Sequence, residues 1–111
     1  MLLGNLKLMI TNKDKVALPG IKDDVDKLDW SLLPLAMLHS VIKVLMYLAK
    51  KSNRDNWKLV PDAKRRYFSA ALRHLDAYQD GDKCDKETGI SHLAHAICCL
   101  IFLLWFEDKG E

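Results

Sequence analysis

Two histidines, His92 and His95, stand three residues apart where a charged loop passes into an apolar run. The stretch reads Asp85-Lys-Glu-Thr-Gly-Ile-Ser-His-Leu-Ala-His95, then Ala-Ile-Cys-Cys-Leu-Ile-Phe-Leu-Leu-Trp-Phe106. A helix turns about 100° per residue, so the two imidazoles lie roughly 60° apart on one face, and Cys99 returns to that face. Imidazoles on a buried helix need partners. Asp85 and Glu87 precede them, and Arg73 and His74 lie on the preceding helical stretch. Two chemistries fit these types. Asp85, Glu87, His92 and His95 combine carboxylate and imidazole, a donor set that suits zinc or manganese better than magnesium. Arg73, His74, His92 and His95 offer forked and single donors for phosphate, with Lys22 and Lys27, or Lys50 and Lys51, adding charge. The plainer alternative is a core histidine pair bonded to Glu87 or to nearby backbone. Trp57 either stacks on a base or pins a loop to the core.

Other sites are excluded by pattern. Asp80-Gly-Asp82-Lys-Cys-Asp85 has glycine and cysteine in the wrong places for a calcium loop. Nothing positions Ser91 as a nucleophile beside His92 and Asp85. The chain has no phosphate-binding glycine loop of either common type.

Three helical stretches must position these residues. The first starts near Pro34, a residue suited to a first helical turn, and runs over Leu35–Lys51 with Leu38, Val41, Ile42, Leu45, Leu48 and Ala49 on one stripe. Pro61-Asp62 opens the second, with Asp62 as cap and Phe68, Ala71, Leu72 and Leu75 as its apolar stripe. It ends before Gln79-Asp-Gly-Asp82. The third spans about residues 90–106, with Ser91 as cap. Its two apolar faces are Leu93, Ile97, Leu100, Ile101, Leu104 and His92, His95, Cys99, Phe102, Phe106. Two amphipathic helices can hardly cover both, so the amino-terminal segment or a second subunit must help. Residues 1–30 read as an irregular segment, with a short hairpin between 5 and 18.

At 111 residues, half of them hydrophobic, one helical domain with a proper core is expected. Seventeen basic against fifteen acidic residues leave a net charge of +2, which gives no argument for a nucleic-acid polymer as partner. Cys84, Cys98 and Cys99 make no disulfide framework, and the adjacent pair behaves as small hydrophobes, as in a reducing cytoplasm. The run Ala94–Phe106 is too short for a membrane span, which needs about 20 residues.

The block Gly20-Ile-Lys22-Asp-Asp24-Val-Asp-Lys27-Leu-Asp-Trp30-Ser-Leu-Leu-Pro34 resembles the opening of a phage-associated family described as dATP/dGTP diphosphohydrolases. Asp55-Asn-Trp57, Ala71-Leu-Arg-His74 and Asp85 to His95 resemble its later blocks, in order. More distantly the chain is similar to all-α nucleotide pyrophosphohydrolases of the MazG type, which hold magnesium with paired acidic residues. Here His92-x-x-His95 stands where one acidic pair is expected, and Leu35–Lys51 contains no acidic residue. The resemblance implies an all-α fold and release of pyrophosphate from a deoxynucleoside triphosphate, with a divalent ion, manganese or magnesium, activating water.

The expected molecule is therefore an all-α bundle of three main helices, a homo-oligomer that recognises a purine nucleotide's phosphates. The nucleotide-binding residues are Lys22, Lys27, Trp57, Arg73, His74, His92 and His95. Glu87 and His92 are the catalytic candidates. The alternative function is a phage sponge that captures a host-defence nucleotide signal and releases it unchanged.

Overall fold

The computed structural model describes residues 19–110, and the hairpin expected between 5 and 18 lies outside them. The chain divides into two compact units, Met1–Leu33 and Pro34–Glu111. The described part of the first is solvent-exposed and holds a turn, in which the Lys27 N–H donates to the Asp24 carbonyl at 3.1 Å. A single 3₁₀ turn follows at Trp30–Leu32, capped by the Asp29 carboxylate, which accepts the Ser31 N–H at 3.1 Å.

The second unit is built from three α-helices: α1 over His39–Lys51, α2 over Ala63–Gln79 and α3 over His92–Asp108. Among the described residues there is no β-strand, only an isolated bridge between Cys84 and Ser91. The fold is thus a small all-α one. The first helix was expected from Leu35. Leu35–Leu38 is instead a 3₁₀ turn, started by Pro34, whose carbonyl accepts the Met37 N–H at 2.9 Å. Such tighter turns are common where an α-helix begins. A third 3₁₀ turn, Asn56–Leu59, lies in the α1–α2 connection. Asp62 does sit at the cap position of α2, but its side chain makes no cap bond and pairs with Arg65 instead.

Helix α3 is the centre of the unit and packs most extensively on α2, then on α1. Ala94, Cys98 and Phe102, spaced four apart on α3, meet Val41 and Val44 of α1, with Trp57, Tyr67 and Ile90 packed around them. Phe102 is only 2% exposed and stacks on Trp57 at 4.3 Å between ring centroids. The Cys98 thiol points into this core and donates to the Val41 carbonyl at 3.5 Å.

The stripe expected to bury α2 does not. Phe68, Leu72 and Leu75 are exposed, and of that set only Ala71 is buried. The inward face is Ala63, Tyr67, Ala71 and His74. Small side chains at Ala63 and Ala71 let α2 approach α3 closely, and that approach brings His74 to the histidines of α3. On α3, the face with Phe102, Phe106 and Cys99 is covered, whereas Leu93, Ile97, Leu100, Ile101 and Leu104 remain exposed, Leu104 by 62%.

Candidate functional site

The site begins where α2 stops. Gly81 adopts φ 95°, the Asp82 N–H bonds to the Ala77 carbonyl at 3.0 Å and the Gly81 N–H to Tyr78 at 3.1 Å. This is the Schellman closure of a helix end, and glycine suits it because it meets no Cβ penalty. The loop then folds on itself. The Asp85 N–H donates to Ile90 at 2.9 Å, the Gly89 N–H to Asp85 at 2.8 Å and the His92 N–H to Lys83 at 2.8 Å. Asp85 holds the inside of this loop. Its Oδ2 accepts the N–H groups of Glu87 at 3.0 Å and Thr88 at 3.1 Å, as aspartate does in local turns. Ser91 caps α3 by accepting the Leu93 N–H at 3.1 Å, so its hydroxyl serves the helix end rather than nucleophilic chemistry.

That loop lays two aspartates and a threonine around three imidazoles. His74 of α2 stacks on His95 at 4.7 Å between centroids, with 16° between the planes, and its Nδ1 lies 2.9 Å from Nδ1 of His92. Nε2 of His92, a buried residue, lies 3.2 Å from Asp82 Oδ2. Nε2 of His95 lies 2.7 Å from Thr88 Oγ1, which also accepts the Ile90 N–H at 3.1 Å and lies 3.4 Å from Asp85 Oδ2.

Proton bookkeeping follows from these distances. A carboxylate can only accept, so Asp82 takes the Nε2–H of His92, whose Nδ1 is then a free lone pair that accepts from His74. A hydroxyl has one proton and two lone pairs. If Thr88 accepts from Ile90 and from His95 Nε2–H, it donates to Asp85, and the hydroxyl's proton and two lone pairs are each used once.

Burial, then the charges of His95 and His92, hold His74 below its ordinary value, with Asp85 opposing. Burial likewise lowers His95, again against Asp85. Both imidazoles are thus neutral near pH 7, which suits a base or a metal ligand better than a cationic phosphate contact. For Asp85, burial pushes the carboxyl up, but the Thr88 amide, the charge of His95 and the Glu87 amide outweigh it, and the net shift is down. His74, Asp85 and His92 each offer one ligand atom, and these atoms all lie within 4.8 Å of one another.

The other expected residues are placed as follows. Glu87 turns from the histidines to α1, where its carboxylate accepts from Lys51 Nζ at 2.7 Å and from the Tyr47 hydroxyl. Those two bonds hold its carboxyl below the usual range. Arg73 is exposed and donates to Ser69 Oγ at 3.0 Å, though its charge reaches His74. Trp57 belongs to the core, stacked on Phe102, which stands about two turns further along α3 than His95. It also lines a cavity of about 530 Å³ with Ile42, Met46, Arg54 and Ile101, a space that none of the three clustered histidines lines. Lys22 and Lys27 belong to the first unit.

Asp82 and Thr88 are the members that the sequence reading missed. Asp-x-x-Thr followed by glycine is a local turn signal, and it could have pointed to Thr88. Asp82 carries no such signal, because its contact depends on the Schellman turn.

Residues 18–111 match the family model described as "dATP/dGTP diphosphohydrolase, N-terminal". Over 86 residues, or 78% of its length, the chain is 34% identical to a protein of Salmonella phage PMBT28 named dATP/dGTP diphosphohydrolase. It spans 29% of that relative's length. No solved structure matches.

Proposed function

Since this chain belongs to the dATP/dGTP diphosphohydrolase N-terminal family, we propose that it takes a purine deoxynucleoside triphosphate and cleaves it to the monophosphate and pyrophosphate. The observation that carries this reading is the convergence of His74, His92 and His95 with Asp82, Asp85 and Thr88 at the amino end of α3. Membership of the family supports turnover over capture of an intact nucleotide.

In this reaction water adds to the α-phosphorus. The bond from that phosphorus to the α–β bridging oxygen breaks, and pyrophosphate leaves with the oxygen. His95 Nδ1 takes the proton of the attacking water. Behind it, Nε2–H donates to Thr88, and Thr88 donates to Asp85. The imidazolium so formed faces the Asp85 carboxylate, whose charge favours it. Glu87, held by Lys51 and Tyr47, shapes the loop rather than acting as the base. Arg73 and Lys51, both exposed, offer charge-assisted donors to phosphate oxygens. A divalent ion, when bound, would neutralise phosphate charge and aid activation of water.

The test is incubation of the protein with each deoxynucleoside triphosphate and Mn²⁺, followed by phosphorus NMR of the products. Monophosphate and pyrophosphate from dATP or dGTP are expected. Unaltered nucleotide recovered after denaturing the protein would sink the reading.

A further inference from the structure

The pair His74 and His92 raises a specific question: why two imidazole nitrogens face each other. One answer is a shared proton. Another is a shared cation, and three features favour it.

The first is spacing. Two ligands bound at about 2.1 Å to one ion lie about 3.0 Å apart when adjacent on an octahedron and about 3.4 Å apart on a tetrahedron. The two Nδ1 atoms lie 2.9 Å apart. The second is orientation. Asp82 holds Nε2 of His92 at 3.2 Å, which fixes the tautomer with its Nδ1 lone pair toward His74. A carboxylate behind a ligating histidine is the usual outer support of a metal site. The third is the third ligand. Asp85 accepts the Glu87 and Thr88 donors on one oxygen, Oδ2, and a carboxylate has a second oxygen to offer. One of its two oxygens lies within 4.8 Å of a ring nitrogen of each histidine.

We propose that His74, Asp85 and His92 form a divalent metal site selective for a first-row transition ion such as Mn²⁺ over Mg²⁺. The inference rests on reading this cluster as the active site, and it names the ion that site takes. The three ligands come from α2, the 80–91 loop and α3, so the site exists only in the folded chain. It differs from the set expected from sequence: His74 enters, and Glu87 and His95 leave. Magnesium demands oxygen ligands and keeps its waters, so two imidazoles disfavour it. Two histidines and one carboxylate leave positions on a six-coordinate ion that phosphate oxygens can fill. His95 stays outside the set, free to move a proton.

The test needs no nucleotide, so it succeeds or fails independently of hydrolysis. The metal-free full chain is titrated with Mn²⁺ and with Mg²⁺, following Mn²⁺ by its EPR signal and both ions by calorimetry. One Mn²⁺ per chain is expected, bound at least ten-fold more tightly than Mg²⁺. Asp85→Asn and His74→Gln should each weaken Mn²⁺ binding at least ten-fold. Asp82→Asn, which only loosens the outer support, should weaken it by about ten-fold. His39→Gln, the histidine outside the cluster, should leave it unchanged. Because a histidine variant can fail to fold, the unmodified chain is also loaded with Co²⁺, whose visible bands must show nitrogen ligation. No binding of Mn²⁺, equal binding of Mg²⁺, or an unchanged affinity in folded Asp85→Asn would each overturn the proposal and leave the imidazoles sharing a proton.

Discussion

Thr88→Val keeps the shape of the side chain and removes one hydroxyl. That hydroxyl serves three groups: it accepts from the Ile90 N–H at 3.1 Å, meets His95 Nε2 at 2.7 Å and reaches Asp85 Oδ2 at 3.4 Å. Valine leaves the Ile90 amide and a ring nitrogen without partners. A buried unsatisfied group costs about 1–3 kcal/mol. Thr88 is only half-buried, so water recovers part of this, and about 1–2 kcal/mol is expected. In a domain of this size each kcal/mol moves Tm by roughly 4–8 °C, which gives a fall of roughly 4–16 °C. The functional effect has its own sign. Asp85 raises the pKa of His95, and Thr88 links the two. Without that link the imidazolium is less favoured, so the acid limb of the pH–rate profile should move to lower pH while kcat falls. Differential scanning calorimetry and a pH–rate profile of the folded variant measure both. A limb that stays in place or moves to higher pH would refute the Asp85–Thr88–His95 arrangement, whatever happens to Tm.

Phe102→Ala should cost about 3–5 kcal/mol by denaturant unfolding, because the ring is buried among Trp57, Tyr67 and α1. His74 and His95 have pKa values lowered in the fold, so the unfolded chain binds protons first as pH falls. Their contribution is present above the unfolded value of about 6.5 and is lost below it. Tm should therefore drop from pH 7.5 to 5.5, where the carboxylates stay ionised, and drop less in the His74→Gln, His95→Gln double variant. If a second copy covers the exposed row of α3, Leu100→Glu should shift sedimentation from oligomer to monomer; a wild type that sediments as a monomer at micromolar concentration counts against that interface.

The helices were legible because α1, α2 and α3 carry helical periodicity and end signals in their own residues. Which face of α2 turns inward was not. Phe68, Leu72 and Leu75 are more hydrophobic than Ala71 and His74, yet close approach of α2 to α3 needs small side chains, and packing outweighed pattern. The histidine pair and Asp85 were visible from type and spacing alone. His74 could be named, but not its 2.9 Å contact with His92, since that depends on how two helices cross. The partners of Glu87 were hidden for a related reason. It stands two residues from Asp85, yet Asp85 lies beside His74 and His92 whereas the Glu87 carboxylate meets Lys51.

Pyrophosphate release from dATP and dGTP, measured side by side for the wild type and Asp85→Asn at matched Tm, tests the central claim most directly. Asp85 both orders the loop and faces the imidazoles, and asparagine keeps its shape without its charge. The wild type should release pyrophosphate and the variant should do so at least about 100-fold more slowly, a barrier change of about 2.7 kcal/mol. Equal rates in the two proteins, or intact nucleotide from the wild type, would contradict placement of the chemistry at this cluster.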